Sequence, residues 1–236
     1  MGKIAVAVFQ SLLFRFADFG HSSPPTLDLK PHEFFLGGIQ YQIKARREEL
    51  PKTLEGFVDP KWKGCIGLEA TDSEWMAILI KQWGPERGNG FFQKLSAMKP
   101  DVRKVHILLS ELVAAGEIEV SLTSYSATAE SVKRRGGPID WMPIEPVMAR
   151  PQGIALAKNA QHPHAALLFA DFVLSPAGQE LFHVMGRVPT SLKVKSNLNN
   201  FPYVMIDPVT VLDESEKWET LWNMLFLKNG LHSALA

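Results

Sequence analysis

Cysteine is nearly absent from this 236-residue chain, since Cys65 is the only one. A single cysteine excludes an intrachain disulfide. Hydrophobic residues make up 46% of the chain, and a chain of this length can bury a large core instead. Cys65 itself stands in the short apolar run KGCIGL. This run predicts a small buried side chain on a strand rather than a reactive thiol.

An excess of charge of either sign is also missing. Lys+Arg and Asp+Glu number 25 each, so no net field favours nucleic acid, an anionic membrane or a polyanion. The basic run 133–135 ends a predicted helix, where cations interact favourably with the helix dipole. We therefore expect no nucleic-acid partner.

No apolar run reaches the ~20 residues that a membrane-spanning helix needs, so no membrane span is expected. Near the N-terminus, Lys3 is followed by IAVAVFQSLLF, which imitates a signal peptide. Gln10 and Arg15 interrupt this pattern, and no clear cleavage site follows. An intact signal peptide and a truncated or mis-started N-terminus both stay open.

Sequence signatures of catalysis are missing as well. The chain contains no Gly-x-Ser-x-Gly elbow, phosphate-binding loop, His-Glu-x-x-His motif or dinucleotide fingerprint. Their absence disfavours an enzyme without excluding one. The segment His162-Pro163-His164 lies at the start of a predicted helix and has no Cys, Asp or Glu partner at ligand spacing. We expect it to be a solvated helix start.

Predicted strands and helices alternate along most of the chain. A capping box, Thr71–Glu74, begins the helix Trp75–Trp83. A short strand over Lys104–Leu108 precedes a helix that Ser110 begins and Gly116 ends. Such alternation predicts an α/β sheet with mostly parallel pairing. The other predicted strands are 34–43, 63–69, 117–123, 138–144 and 153–158, and the other helices are a short one over about 50–59, 86–98 and 127–135.

Two apolar stripes with helical spacing predict helices that face the core. The first stripe follows Pro163, a residue favoured in the first turn of a helix, and Ser175-Pro176 opens a second helix after it. The second stripe lies near the C-terminus. We expect both stripes to be buried. They comprise Ala165, Leu168, Phe169, Phe172 and Val173 in the first, and Trp218, Leu221, Trp222 and Leu225 in the second.

Several passages, in a consistent order, resemble a known family. The passages LPKTLEGFVDPKWKGCIGLE, LVAAGEIEVSLTSYS and GGPIDWMPIEP, followed by Gly153–Thr190, resemble iron(III)-type solute-binding proteins of bacterial ABC transporters. These belong to the type II periplasmic binding protein class. The resemblance runs from about Phe34 to Thr190. Tyr41-Gln42-Ile43 stands where the family tends to have Tyr-Asn-Thr, so hydrogen bonding in the implied hinge would differ.

The resemblance implies an α/β fold of the type II periplasmic-binding-protein class, with one complete lobe and an incomplete second lobe. Residues 1–44 would be a remnant of lobe one with the first hinge strand, and residues 45–144 would be lobe two. Residues 145–236 would supply the returning hinge strand and the C-terminal helices of lobe one. A full member begins with roughly another hundred residues, so the resemblance implies that the N-terminal part is missing.

The implied function is that of the solute-binding component of an ABC importer, and not that of an enzyme. Such a protein would capture a small anion, or Fe(III) with an anion, in a cleft between its lobes. It would deliver this solute to an ABC permease in the inner membrane, which implies a periplasmic location. No cofactor is required, and Fe(III) with a synergistic anion is a candidate cargo. A ligand-sensing or enzymatic domain on the same fold is the alternative.

The best candidate site is the predicted strand end Thr123–Ser126. Hydroxyl groups and helix N-terminal N–H groups converge there, which suits an anion. Alternatively, Ser126 is only an N-cap and Tyr125 packs on the surface. Because Fe³⁺ prefers charged oxygen ligands, the resemblance implies Tyr125 as a metal ligand, although one phenolate cannot complete a coordination sphere. The ligand-binding candidates are Ser124, Tyr125, Ser126 and Thr128, joined by Thr71, Ser73 and Arg150; helix capping alone would also explain Thr71.

Overall fold

A computed structural model describes residues 7–8, 30–44, 47–157, 159–194, 202–206, 211 and 213–227. The chain divides into two compact units. The first unit combines Met1–Phe35 with Arg150–Asn200, and the second combines Leu36–Ala149 with Phe201–Ala236.

The described residues form strands and helices with the following bounds. The strands are β1 (Ala7–Val8), β2 (Lys30–Gln42), β3 (Ile66–Glu69), β4 (Asp101–Arg103), β5 (Val120–Tyr125), β6 (Ile139–Met142), β7 (Val147–Ala155), β8 (Val188–Pro189) and β9 (Tyr203–Met205). The α-helices are α1 (Ser73–Trp83), α2 (Pro85–Ala97), α3 (His106–Ala115), α4 (Ser126–Arg134), α5 (Pro163–Leu174), α6 (Pro176–Val184) and α7 (Ser215–Trp222). A π-helical turn, Asn223–Leu227, continues α7.

The second unit contains a mixed sheet. Strands β5, β3 and β4 lie side by side and run parallel. Strand β2 pairs antiparallel with β5 on one side and with β6 on the other. The predicted parallel pairing is therefore confirmed for the three strands that are each followed by a helix. Strand β2 runs the other way because it precedes these strand–helix units and no crossover helix fixes its direction.

Helices α1 and α2 pack against each other, and their close approach depends on a glycine. A Cβ atom at Gly88 would lie 2.7 Å from Ile80 Cα, so the two backbones leave no room for a side chain. By propensity alone, a glycine such as Gly88 weakens a helix. In the structure, Gly88 is what lets the first turns of α2 pack directly on α1.

An aromatic cluster joins these two helices to the C-terminal helix. Trp75 meets Phe92 edge to face at a centroid distance of 5.2 Å, and Trp222 lies 6.4 Å from Trp75. Trp222 Nε1 donates to the carbonyl oxygen of Ala70 at 2.9 Å. The predicted burial of the C-terminal stripe is confirmed for Trp218 and Trp222.

This packing changes the expected place of the C-terminal helix. The resemblance assigned all of residues 145–236 to lobe one, whereas Phe201–Ala236 clusters with Leu36–Ala149 in the second unit. The physical reason is the aromatic cluster, because α7 buries its apolar stripe against α1.

In the first unit, α5 and α6 pack together at the predicted helix break. Ser175 is the N-cap of α6, and its Oγ accepts from the Gly178 N–H at 3.2 Å, which confirms Ser175-Pro176 as a helix start. Gln179 is buried and fixes the following turn. Its Oε1 accepts from the Thr190 N–H at 2.8 Å, and its Nε2 donates to the Val173 carbonyl oxygen at 2.9 Å.

The predicted burial of the α5 stripe is mostly wrong. Leu168 is 72% exposed and Phe172 is 46% exposed, and Ala165 and Phe169 are exposed as well. Among the described residues of α5, only Ala166 and Val173 are buried. Helix α5 is apolar around most of its circumference, so periodicity could not identify which narrow face contacts α6.

Three local predictions also need correction. Residues 104–108 do not form a strand, because β4 ends at Arg103 and α3 begins at His106. Cys65 is half-buried and lies just before β3 rather than in it, and its partial burial raises the pKa of the thiol. Asp72, not Thr71, occupies the N-cap position of α1, and its side chain makes no capping hydrogen bond.

Within the described ranges, no single helix is long and apolar enough to cross a bilayer. Helices α5 and α6 meet the length and composition criteria only when taken together, and they are bent by 64° at the break between them.

Candidate ligand-binding edge of the second unit

Three strand ends and three helix starts meet at one edge of the second-unit sheet. Strands β5, β3 and β4 are parallel neighbours, so their carboxyl ends lie at the same edge. Helices α4, α1 and α3 follow these strands within a few residues. In open α/β sheets, ligands bind outside the carboxyl ends of the strands. This edge, the carboxyl edge, is therefore the candidate binding site of the unit.

Glu69, the last residue of β3, ties two loops of the carboxyl edge together. Its Oε2 accepts from the backbone N–H and from Oγ1 of Thr71, each at 2.6 Å. Its Oε1 accepts from the Val105 N–H at 3.0 Å. The side chain is only 3% exposed. A buried carboxylate thus occupies the N–H groups that lead into α1 and α3.

Val105 carries backbone strain where it meets Glu69. Its φ of +77° is unusual for a β-branched residue, and a residue held in such a region costs about 1–3 kcal/mol. The Val105 side chain is exposed and contributes little burial that could offset this cost. The strained conformation turns the Val105 N–H towards Glu69 and starts α3 at the next residue, His106.

Asp72 and His106 form a polar pair beside Tyr125. His106 Nε2 lies 3.1 Å from Asp72 Oδ2. The imidazole ring also stacks on the Tyr125 ring, with centroids 4.4 Å apart and planes inclined by 32°. Asp72 is 6% exposed, whereas His106 and Tyr125 are half-buried and so reach the surface of the edge.

Most hydroxyl groups predicted to contact a ligand are engaged in hydrogen bonds inside the protein. Thr123 Oγ1 accepts from the Glu69 N–H at 2.7 Å, and Ser124 Oγ pairs with Ser121 Oγ at 2.8 Å. Thr128 Oγ1 donates to the Tyr125 carbonyl oxygen at 2.7 Å and accepts from Gln40 Nε2 at 2.8 Å. These bonds fix the end of β5 and the first turn of α4.

Ser126 differs from its neighbours. It is the first residue of α4, it is 0% exposed, and its Oγ has no hydrogen-bond partner within the described part of the chain. The reading of Ser126 as a plain N-cap is wrong, because Tyr125 occupies that position. A buried hydroxyl without a partner is costly, so this atom marks a place where a ligand atom would be stabilising.

The remaining predicted site residues are spread over both units. Thr71 and Ser73 lie at the carboxyl edge, Thr71 on the surface and Ser73 buried in the first turn of α1. Arg150 lies in the part of β7 that belongs to the first unit and is half-buried. As ligand contacts, all the candidates named from the sequence stay predictions.

The sequence-based predictions missed Glu69 and His106 as members of the site, and they gave Asp72 no role beyond its place between the candidates Thr71 and Ser73. His106 was lost because residues 104–108 were predicted to be a strand, which hid the start of α3. Asp72 stood inside the capping box, and Glu69 was counted only as the end of a strand. A strand that ends in an acidic residue just before a helix was the available indication, because such ends line the carboxyl edge.

A model of a known protein family matches more than half of the chain. A family model described as "Bacterial extracellular solute-binding protein" matches residues 48–187. A curated but uncharacterised protein of Haemophilus influenzae is 28% identical over 175 residues. That match covers 69% of this chain and 49% of the relative, so the chain spans about half the relative's length.

Solved structures show the fold. The periplasmic binding protein P5PA superposes with a TM-score of 0.70 at 22% identity, over 84% of this chain and 68% of that one. AfuA of Actinobacillus pleuropneumoniae, with fructose-6-phosphate bound, gives 0.69 at 20% identity over the same shares. Iron-bound HitA of Pseudomonas aeruginosa gives 0.68 at 20% identity, over 86% and 71%. The fold is that of type II periplasmic binding proteins, with one lobe complete and the other partial, as expected from the sequence.

Proposed function

Because the chain belongs to the bacterial extracellular solute-binding proteins, we propose that it captures a small solute for an ABC importer. The solute binds at the carboxyl edge of the second unit and is passed to a permease in the inner membrane. The protein works in the periplasm and changes no covalent bond of its solute. The finding that supports this role most directly is the meeting of three strand ends and three helix starts beside Tyr125 and His106.

The proposed solute is a small anion, bound alone or together with Fe(III). The first turn of α4 favours negative charge, because its N–H groups and the helix dipole face the carboxyl edge. Ser126 Oγ, which is buried there without a partner, is a donor for an anion oxygen. Glu69 already accepts from the N–H groups of Thr71 and Val105, so the α4 side is the better place for the anion.

Whether the cargo is an anion alone or an anion together with Fe(III) depends on Tyr125. Its phenolate is a hard oxygen ligand of the kind Fe³⁺ prefers, and an anion at α4 would supply further oxygen ligands. Two proteins of this fold support both options, since AfuA is described with fructose-6-phosphate and HitA with iron. Thr71 and Ser73 are proposed as further contacts to the solute at this edge, and Arg150 of the first unit stays a predicted ligand-binding residue.

The test titrates the purified chain with inorganic phosphate, fructose-6-phosphate and ferric citrate, and follows heat of binding and visible absorbance. With ferric citrate, a phenolate-to-iron absorption band should appear in the unaltered chain. The band should be lost in Tyr125→Phe and kept in the matched control Tyr203→Phe, which alters an exposed tyrosine of β9. For the anions, Ser126→Ala should weaken binding at least fivefold, and Ser131→Ala, on the same helix, should not.

Two results would contradict the proposal. One is a folded chain that binds none of the three probes. The other is binding that Tyr125→Phe and Ser126→Ala both leave unchanged, because the solute would then lie away from the carboxyl edge.

A further inference from the structure

The geometry points to a binding site for one divalent transition-metal ion, formed by Glu69, Asp72 and His106. One carboxylate oxygen from each acid and one ring nitrogen of His106 all lie within 4.8 Å of one another. This site goes beyond the proposed capture of a solute, because an ion held here is a resident of the carboxyl edge rather than its cargo. Its ligands also differ from the Tyr125 and α4 groups proposed above.

The spacing of the ligand atoms suits a small metal ion. Bonds of about 2.0–2.2 Å to nitrogen and oxygen place neighbouring ligands about 3.3 Å apart in a tetrahedral site. Asp72 Oδ2 and His106 Nε2 already lie 3.1 Å apart. Only the Glu69 oxygen needs to move closer, by at most about 1.5 Å, which lies within the range of a side-chain adjustment.

The buried carboxylates of Glu69 and Asp72 favour the binding of a cation. Glu69 and Asp72 are both buried, and neither forms an ion pair with a lysine or arginine in the described part of the chain. Buried acidic groups are normally paired or bound to metal. A divalent ion would balance two carboxylates, with a neutral imidazole as the third ligand. The same count disfavours a trivalent ion at these three residues.

The surrounding groups hold the ligands in place. Glu69 Oε1 accepts one hydrogen bond, from Val105, so a second lone pair stays available for a metal. The stacked Tyr125 ring fixes the plane of the His106 imidazole. Outer groups that orient the ligands in this way are typical of metal sites. They also give the strain at Val105 a function, since it directs an N–H to the bridging carboxylate.

The imidazole narrows the class of ion. Carboxylate and carbonyl oxygens suit Mg²⁺ and Ca²⁺, whereas imidazole suits Zn²⁺, Fe²⁺, Ni²⁺ and Cu²⁺. A set of two carboxylates and one histidine leaves coordination positions for water or for an oxygen of a bound molecule. Zn²⁺ is the probe of choice, because it takes no part in redox chemistry.

The experiment uses the full chain, freed of metal with a chelator, and measures Zn²⁺ and Ca²⁺ binding by calorimetry and native mass spectrometry. One Zn²⁺ per chain is expected, with Ca²⁺ at least tenfold weaker. Asp72→Asn and His106→Gln should each weaken Zn²⁺ binding at least tenfold. His164→Gln, which alters an exposed histidine at the start of α5, should leave it unchanged.

Failure to retain Zn²⁺ in the folded chain overturns the site, and so does Zn²⁺ binding that survives both Asp72→Asn and His106→Gln. Equal affinities for Ca²⁺ and Zn²⁺ would contradict the assignment of the His106 imidazole as a metal ligand. Glu69→Gln removes internal hydrogen bonds and can unfold the chain, so its Zn²⁺ affinity is interpreted only if circular dichroism shows that the variant is folded. Asp72→Asn and His106→Gln test the site without this variant. Solute titrations of the same metal-free samples test the proposed function separately, so either can fail alone.

Discussion

The aromatic cluster and the carboxyl edge of the second unit contribute to stability in opposite ways. In the cluster, the rings of Trp75, Phe92 and Trp222 pack edge to face, and the indole N–H of Trp222 has a backbone partner. At the carboxyl edge, Glu69 and Asp72 are buried without a lysine or arginine partner in the described residues, and Val105 is strained. The unit thus separates the residues that stabilise it from those that are costly to keep and available for binding.

The largest effect is expected from the aromatic cluster. Trp222→Ala removes a buried indole and its hydrogen bond to Ala70, so we expect a loss of about 3–5 kcal/mol in the free energy of unfolding. Urea unfolding followed by circular dichroism measures this. Trp222→Phe, which keeps a ring, should lose less. A loss below about 1 kcal/mol for Trp222→Ala would show that α7 contributes little and would blur the distinction between the two regions.

A smaller effect is expected where α1 and α2 touch. Gly88→Ala places a Cβ against the backbone of Ile80, which must move, so we expect a loss of about 1–3 kcal/mol. Gly90→Ala is the matched control on the same helix, because a Cβ there meets no atom within 4 Å. It should be neutral or stabilising by up to about 1 kcal/mol. Equal thermal stabilities of the two variants would contradict the close approach.

The smallest effect, and one of opposite sign, is expected at the carboxyl edge. Val105→Gly relieves the positive φ and loses few contacts, so the net gain in stability should be about 0.5–1 kcal/mol after the added chain entropy is counted. Val105→Ala keeps a Cβ and should gain less. The Zn²⁺ affinity of Val105→Gly should fall, because the loop that carries His106 becomes looser. If Val105→Gly gained neither stability nor flexibility, backbone strain at Val105 would no longer distinguish the carboxyl edge from the aromatic cluster.

The fold could be predicted from the sequence where local chemistry decides it. Ser175-Pro176 starts a helix because the serine side chain accepts from the Gly178 N–H, and that rule is local. Strand–helix alternation likewise predicted the parallel strands β3 and β5, since crossover helices require them.

Burial was harder to predict because it depends on what a helix meets. The stripes of α5 and α7 have the same spacing in the sequence, yet Trp218 and Trp222 are buried while Leu168 and Phe172 are exposed. Periodicity states that a face is apolar and not that a partner covers it. The same limit hid the Asp72–His106 pair, since the contact joins two loops 34 residues apart.

Glu69 has a consequence for selectivity. A carboxylate held by the fold against the N–H groups of Thr71 and Val105 acts as a tethered competitor, whose effective concentration far exceeds that of any dissolved anion. A free carboxylate or phosphate would therefore have to displace Glu69 to reach these two N–H groups. At these N–H groups Glu69 thus disfavours a second anion and favours a cation, which leaves the N–H groups of α4 as the better place for an anion.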